Sequence, residues 1–288
     1  MTMTSPTLLF HTFSRTCGRA LIFLSFILIV LGVSSCNKWL SKGQTNLELI
    51  WADEFKGEEP PNENKWTYDL GVGNSGWGNN EKQYYTDLAR NVRLVSGKLI
   101  IEAHEETYKE SEYTSARLVT RGKQSWGPGH RIAIRAKLPS GRGTWPAIWM
   151  LGDNLKEAGW PLSGEIDIME HVGFSPDSVF GTVHTKASNG MIGNQVSGHT
   201  TAEDLETNYH IYSIDWYGDH IAFQMDGETY HTFVKRENVG VEEWPFDAPQ
   251  HLLLNLAVGG NWGGRKGVDE TIWPQRLMVD WVRVYRHK

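Results

Sequence analysis

Cysteine is almost absent from the 288-residue sequence, which has only Cys17 and Cys36. A disulfide framework beyond residue 36 is therefore excluded, so a folded domain there must draw its stability from a hydrophobic core and backbone pairing. Runs of arginine and lysine are missing too, and the net charge of -6 is mildly acidic. Because nucleic-acid binding needs a basic patch or stripe, this charge balance argues against a nucleic acid as partner.

Long apolar runs are also scarce, and the clearest one extends from Leu21 to Val33. Its length of about 13 residues is too short for a helix that crosses a bilayer, which takes roughly 20. Arg15 and Arg19 precede the run, and Val33-Ser34-Ser35-Cys36 follows it. This order is typical of an export signal that ends in a bacterial lipoprotein cleavage box.

We therefore predict a lipoprotein signal peptide over residues 1–36, cleaved before Cys36, whose thiol receives a diacylglycerol. The exported protein would then be anchored to a bacterial membrane, with the outer membrane or the cell surface favoured. An ordinary secretory signal is the alternative. The polar residues 37–46 predict a flexible tether between the lipid and a folded domain.

Strand patterns dominate from residue 47 to residue 288. Apolar and polar residues alternate with period two in segments such as Arg131–Leu138 and Ile211–Trp216. Turn residues such as Asp226-Gly227 separate these runs, and long patterns of helical period are lacking. Many short strands with frequent turns predict one all-β domain over residues 47–288, built as a sandwich or jelly roll.

Tryptophan is unusually abundant, with 13 residues. Extracellular proteins that act on carbohydrates use tryptophan rings as flat platforms for sugars, whose C–H faces pack on aromatic faces. Each tryptophan could equally well belong to the hydrophobic core, and the sequence does not separate the two uses.

The segment Gly164-Glu165-Ile166-Asp167-Ile168-Met169-Glu170 carries the candidate chemistry. In a strand, alternate side chains share a face, so Glu165 and Asp167 lie together and the isoleucines between them face the core. Strict alternation would bury Glu170, and an unpaired buried carboxyl costs several kcal/mol. A β-bulge at Ile168-Met169 would return Glu170 to the acidic face.

Three carboxyl groups on one face raise one another's pKa values. A retaining glycosidase uses such an arrangement, because one carboxylate attacks the anomeric carbon and a second, protonated carboxyl donates to the leaving oxygen. An acidic strand could instead form a solvated outer face, but apolar flanks and nearby tryptophans make that interpretation less favoured.

An ordered set of motifs resembles glycoside hydrolase family 16, of the laminarinase (endo-β-1,3-glucanase) type, from about Leu49 to Tyr285. The motifs are Trp77-Gly78-Asn79-Asn80-Glu81, Tyr113-Thr114-Ser115-Ala116-Arg117, Leu138-Pro139-Ser140-Gly141, Trp145-Pro146-Ala147-Ile148-Trp149-Met150-Leu151, the acidic segment, Gly181-Thr182-Val183-His184 and Gly259-Gly260-Asn261-Trp262. The resemblance implies a two-sheet antiparallel β jelly-roll sandwich, of the concanavalin A-like kind, with a cleft on its concave sheet.

The resemblance also implies roles for individual residues. Glu165 is expected as the nucleophile and Glu170 as the acid/base, with Asp167 hydrogen-bonded to the nucleophile. Trp145 and Trp149 would floor the glycone subsites, and His184 would lie near the acid/base. The expected substrate-binding set is Asn79, Asn80, Arg117, Trp145, Trp149, His184 and Trp262.

Catalysis of this kind needs no cofactor, although the resemblance implies a possible structural calcium on the convex side. Glu54, the backbone of Gly97, and Asp280 match its ligand positions, and hard oxygen ligands suit calcium. The alternative is that these acidic residues are merely exposed.

The expected function is retaining endo-hydrolysis of β-1,3-glucan by a monomeric enzyme held at a membrane by its lipid. Two other functions remain open. One is action on another β-linked polysaccharide, such as mixed-linkage glucan or agar, or transglycosylation. The other is non-catalytic glucan binding, which is less favoured because both glutamates are present.

Overall fold

The protein is described here by a computed structural model that covers residues 46–57 and 60–288. The predicted signal peptide, the lipidation residue Cys36 and nearly all of the predicted tether lie outside these residues. Within the described part of the chain, no helix is long and apolar enough to cross a membrane.

The regular structure of residues 46–57 and 60–288 consists of seventeen β-strands and one short helix, α1 (Leu155–Ala158), together with a coiled turn over Gly76–Asn80. The strands are β1 (Leu47–Asp53), β2 (Thr67–Tyr68), β3 (Gln83–Tyr85), β4 (Val92–Val95), β5 (Lys98–Tyr108), β6 (Ser111–Ser115), β7 (Arg117–Val119), β8 (His130–Lys137), β9 (Thr144–Gly152), β10 (Glu165–Glu170), β11 (Ser178–His184), β12 (Val196–Thr201), β13 (His210–Trp216), β14 (His220–Met225), β15 (Glu228–Val234), β16 (Gln250–Val258) and β17 (Gln275–His287).

These strands form two sheets. The ten-stranded sheet has the order β15-β14-β13-β8-β17-β5-β6-β3, with β1 beside β17 and β4 beside β5. The seven-stranded sheet has the order β12-β11-β10-β9-β16-β7-β2. Neighbours are antiparallel except for β3 and β6, which are parallel. The predicted two-sheet, all-β sandwich is confirmed, and strands β8 and β13 fall where the alternation placed them.

The core lies between the two sheets, and β16 shows how the sequence builds it. Leu252, Leu254 and Leu256 are fully buried in the main core, and burying a leucine side chain stabilises the fold by about 1.5–3 kcal/mol. The alternating residues Leu253 and Asn255 point to the other side of the sheet. Leu253 packs there with Val119 and Leu151 in a second, small cluster. Leu155 of α1 and Trp149 pack against this cluster, so part of the outer face of the seven-stranded sheet is covered, and the same face carries the acidic segment.

Candidate active site

Strand β10 carries the predicted bulge. Asp167 pairs with Thr182 of β11, and Glu170 pairs with Phe180, so three steps along β10 match two along its neighbour. On the other side, the register against β9 shifts between Asp167 and Met169. The extra residue thus falls at Ile168-Met169, as the need to keep Glu170 out of the core required.

The side chains of β10 separate by face as a consequence of the bulge. Ile166, Ile168 and Met169 all belong to the main core and are fully buried. Two consecutive core residues use up the additional position, so Glu170 emerges on the same face as Glu165 and Asp167. Glu165 and Glu170 are half-buried, whereas Asp167 is buried.

Glu165 is held by a tryptophan from the loop before β10. The indole Nε1 of Trp160 donates to Glu165 Oε2 at 2.9 Å, and the Trp160 ring itself is 36% exposed. Burial and the neighbouring charge of Asp167 raise the pKa of Glu165 from 4.5 to about 7, although His184 and the Trp160 hydrogen bond act in the opposite direction. Glu165 can therefore be ionised at neutral pH, as a nucleophile must be.

Glu170 is held by a second tryptophan. Nε1 of Trp145 donates to Glu170 Oε1 at 3.0 Å. Burial and the charge of Asp167 raise the pKa of Glu170 well above its usual value of 4.5. This shift favours the protonated form of the carboxyl group, which is the state that a general acid needs.

His184 and Asp167 lie together beside Glu165. His184 lies opposite Glu165 in the strand register, with Nε2 at 3.7 Å from Glu165 Oε1 and 3.2 Å from Asp167 Oδ2. Strand β11 brings His184 directly beside the nucleophile, and Glu170 is also among the acidic groups whose charge acts on the ring. The expected hydrogen bond between Asp167 and Glu165 is missing among the described residues. Asp167 Oδ2 is buried without a well-aligned partner.

Glu165, Asp167 and His184 are the one group of described side chains whose ligand atoms could jointly hold a metal, all within 4.8 Å. The histidine does not fit this use. The backbone amide of Gly190 donates to His184 Nδ1 at 3.0 Å, which leaves the proton of a neutral ring on Nε2. Nε2 then has no lone pair to offer to a cation.

Trp149 and Arg117 lie on the outer face of strands β9 and β7. The Arg117 guanidinium lies 4.5 Å from the ring centroid of Trp77 and 4.7 Å from that of Trp149. Its Nε is 3.1 Å from Asp69 Oδ2, and the residue is only 7% exposed. Arg117 therefore braces two aromatic rings, and little of its guanidinium is left open to a sugar.

The two asparagines of the Gly76–Asn80 turn have different partners. The exposed Asn80 donates from Nδ2 to Asn261 Oδ1 at 2.8 Å, and the backbone of Asn261 donates to the carbonyl of Asn79 at 2.7 Å. These bonds join the turn to the glycine-rich loop that contains Trp262. The Trp262 ring packs edge-on against Trp145 at 5.7 Å and Phe180 at 5.1 Å, so it borders the acid/base side of the site.

Sequence reasoning missed a hydrogen-bonded chain beneath Trp149. Its Nε1 donates to Asn255 Oδ1 at 2.7 Å, Asn255 Nδ2 donates to the Tyr85 hydroxyl at 3.0 Å, and that hydroxyl donates to Glu81 Oε2 at 3.1 Å. Burial raises the pKa of Glu81, while hydrogen bonds from Gln83 and Tyr85 lower it. A signal for Asn255 existed, because it is the one polar residue within the apolar run Leu252–Val258.

The expected calcium ligands have cationic partners instead. Both oxygens of Glu54 accept hydrogen bonds from Arg283, at 2.7 and 3.0 Å. Asp280 accepts one from Lys98 at 3.0 Å and another from Arg135. Because these carboxylates are already neutralised, the side chains of Glu54 and Asp280 do not fit a calcium ion at this place.

Comparisons with known proteins agree with this arrangement. The profile of "Glycosyl hydrolases family 16" matches residues 74–283. The chain is 51% identical over 270 residues to the beta-glucanase of Rhodothermus marinus, which covers 91% of this chain and 93% of that protein. The solved laminarinase structure from Rhodothermus marinus matches with a TM-score of 0.81 and 51% identity, over 84% of this chain and 98% of that one. SCLam, a non-specific endo-β-1,3(4)-glucanase, matches with a TM-score of 0.79 and 42% identity, over 85% of this chain and 92% of that one.

Proposed function

Because this chain belongs to glycosyl hydrolases family 16, we propose that it hydrolyses internal bonds of β-1,3-glucan of the laminarin type, with retention of anomeric configuration. The chain is a glycoside hydrolase, and the observation that carries the finer proposal is the bulge in β10. It brings Glu165 and Glu170 to one face, where each carboxyl accepts a hydrogen bond from a tryptophan.

In the first step, the Glu165 carboxylate attacks the anomeric carbon while the bond from that carbon to the leaving oxygen breaks. Glu170 gives its proton to the leaving oxygen, so the departing sugar is neutral and Glu170 becomes a carboxylate. The result is a glycosyl ester on Glu165. The Trp160 N–H orients Glu165 for the attack and stabilises its charge before the reaction.

In the second step, Glu170 takes a proton from water, and the oxygen of that water attacks the same carbon. The ester bond to Glu165 breaks, its carboxylate returns, and Glu170 is again protonated. Asp167 supports this cycle by its charge, because it raises the pKa of Glu170 and so favours the protonated form at the start. No cofactor takes part in these steps.

Substrate contacts are proposed for the aromatic residues that border the two glutamates. Trp145, Trp149, Trp160 and Trp262 are all partly exposed around this face, and sugar rings pack well on indole faces. Asn80 and the Gly259–Trp262 loop would contribute polar contacts at the rim. Arg117 would act by holding the Trp149 ring.

Mixed-linkage glucan is the second candidate substrate, because SCLam, a similar structure, is described as a non-specific endo-β-1,3(4)-glucanase. The test is product sizing after digestion of laminarin, lichenan and agarose. We expect a ladder of short oligosaccharides from laminarin, with slower digestion of lichenan. Activity on agarose alone would overturn the substrate proposal.

The role of Glu165 has a direct mutational test. Glu165→Gln keeps the size of the side chain but removes the nucleophile, so kcat on laminarin should fall by at least about 10³-fold. Undiminished hydrolysis by this variant would refute the assignment. A glucan-binding protein without catalysis would give no wild-type turnover on any of the three substrates.

We also propose, from the sequence alone, that the protein is exported and anchored through a lipid on Cys36. Incorporation of a labelled fatty acid in wild type, and its loss in Cys36→Ser, would support the anchor. Calcium stays a prediction of the family resemblance. Thermal unfolding with calcium and with a chelator tests it, and the ion pairs of Glu54 and Asp280 lead us to expect equal transition temperatures.

A further inference from the structure

The loop over residues 185–195, between β11 and β12, makes a backbone contact that the catalytic steps above do not use. The amide N–H of Gly190 donates to Nδ1 of His184 at 3.0 Å. A ring nitrogen that accepts a hydrogen bond carries no proton. Nδ1 is therefore the bare nitrogen of His184, and the proton of the neutral ring lies on Nε2.

The loop is built so that this amide is fixed in direction. Asn189 is 4% exposed, and its Nδ2 donates to the carbonyl of Thr185 at 3.0 Å. Its backbone N–H donates to Asn194 Oδ1 at 3.0 Å, and its own Oδ1 accepts from the N–H of Met191 at 3.1 Å. Side-chain amides thus hold the backbone on both sides of Gly190, which is the residue that touches the histidine.

The opposite edge of the His184 ring faces acceptors only. Nε2 lies 3.2 Å from Asp167 Oδ2 and 3.7 Å from Glu165 Oε1, both on β10. Glu170, also on β10, is the third acidic group near the His184 ring. The uncharged ring of Trp160 packs against the His184 ring. A proton on Nε2 can be donated to the carboxylates of β10, and an unprotonated Nδ1 can accept the N–H of Gly190 in the loop. Both sides of the ring therefore favour the same tautomer.

The carboxyl groups also favour a second proton on the ring. Burial lowers the pKa of His184, but contact with Asp167 and the charges of Glu165 and Glu170 raise it to about 10. A second proton would have to go onto Nδ1, where it would point at the N–H of Gly190. Two donors facing each other at this distance repel, so the Gly190 amide opposes the imidazolium form that the carboxylates favour.

We propose that Gly190 is a positioning residue for the catalytic carboxyl groups: its backbone amide keeps His184 neutral, with the single proton on Nε2 turned toward Asp167 and Glu165. The N–H dipole then stabilises the charge of these carboxylates without adding a full positive charge to the site. A full charge on His184 would lower the pKa of Glu170 and promote loss of the proton that the leaving oxygen needs. This last consequence rests on the proposed function.

The tautomer can be measured without any activity. In the protein labelled with ¹⁵N-histidine, we expect the His184 resonances to show an unprotonated Nδ1 and a protonated Nε2 between about pH 6 and 8. Two protonated nitrogens in this range, or a proton on Nδ1 alone, would overturn the proposal whatever Glu165 and Glu170 do.

A pair of substitutions tests the role of the amide. Gly190→Pro removes the N–H, whereas Gly190→Ala keeps it and adds a Cβ at an ordinary contact distance of 3.4 Å from His184 Cε1. Gly190 does not have a positive φ, so the backbone conformation does not disfavour Gly190→Ala. We expect the basic limb of the pH profile of kcat/KM to move down by about one pH unit in Gly190→Pro, because His184 then gains its second proton.

Gly190→Ala should leave the basic limb where it is in wild type. Identical limbs in all three proteins would contradict the role of the amide, and so would equal downward shifts in both variants. If Gly190→Pro does not fold, the tautomer in wild type and in Gly190→Ala decides alone. If the tautomer is as expected but wild type hydrolyses no glucan, the proposed function fails while the hydrogen-bond arrangement stands.

Discussion

At the scale of single residues, each of the two catalytic glutamates accepts a hydrogen bond from its own tryptophan. The hydrogen bond from Trp160 lowers the pKa of Glu165, and the hydrogen bond from Trp145 lowers the pKa of Glu170. Hydrogen bonds to ionised groups contribute more than neutral ones, about 1.5–3 kcal/mol. Each indole N–H should therefore control one limb of the pH profile.

Removal of either N–H gives a pair of variants that act as controls for each other. In Trp160→Phe the pKa of Glu165 rises, so the acidic limb of kcat/KM should move to higher pH and activity should fall by about 10-fold. In Trp145→Phe the pKa of Glu170 rises, so the basic limb should move to higher pH instead. Movement of the same limb in both variants would contradict the division of roles.

At the scale of elements, strand parity explains why β10 needs its bulge. Glu165 and Glu170 are five positions apart, an odd number, so a regular strand would turn them to opposite faces. One additional core residue, at Ile168-Met169, corrects the parity. The bulge was predictable because its absence would place a carboxyl in the core.

Deletion of Met169 tests the parity argument. The catalytic glutamate would then follow Glu165 by four positions, and a regular strand would keep both on one face. We expect this variant to retain activity far above that of Glu170→Gln, although it should be less stable, since losing buried methionine side-chain atoms costs about 2–5 kcal/mol. A folded deletion variant that is no more active than Glu170→Gln would contradict the parity account.

What the sequence failed to predict lies mainly in loops and in contacts between distant segments. Trp160 and Gly190 lie in connections between strands, whose conformation no periodic pattern specifies. Their contacts with Glu165 and His184 could therefore not be predicted from the sequence. The chain Trp149–Asn255–Tyr85–Glu81 joins three separate segments, and only the isolated Asn255 gave a local hint. Strands and the acidic face were predictable because alternation is local and burial enforces it.

At the scale of the whole molecule, the tryptophans have two uses. Trp66, Trp126, Trp216 and Trp244 belong to the buried core, whereas Trp145, Trp149, Trp160 and Trp262 surround the acidic face and are partly exposed. Composition alone could not divide them. The domain therefore uses tryptophan both in its core and around its site. The half-buried acidic residues of the site, in contrast, cost the fold stability.

The raised pKa of Glu165 should make the stability of the whole domain depend on pH. A carboxyl whose pKa rises from 4.5 to about 7 on folding stabilises the fold fully below about pH 4.5, and this contribution is lost as pH rises through about 7. The Glu165→Gln variant has no ionisable group at this position, so its stability does not show this loss as the pH rises. We expect the variant to gain roughly 3 kcal/mol of unfolding free energy over wild type at about pH 8, relative to their difference at about pH 4.

Urea unfolding at the two pH values measures this difference. A constant gap between wild type and Glu165→Gln across the range would contradict the raised pKa. The gel-filtration volume of the folded wild type, without urea, tests the predicted monomer.

The most direct measurement of the central claim is mass spectrometry of the peptides of wild-type enzyme trapped with a 2-deoxy-2-fluoro β-glucosyl fluoride built on a β-1,3-linked disaccharide. Fluorine at C2 slows breakdown of the covalent ester, so the sugar should remain attached to the nucleophile. The account predicts one sugar, attached to Glu165. A label on Glu170 or Asp167, or turnover of normal substrate with inversion and no label, would contradict it.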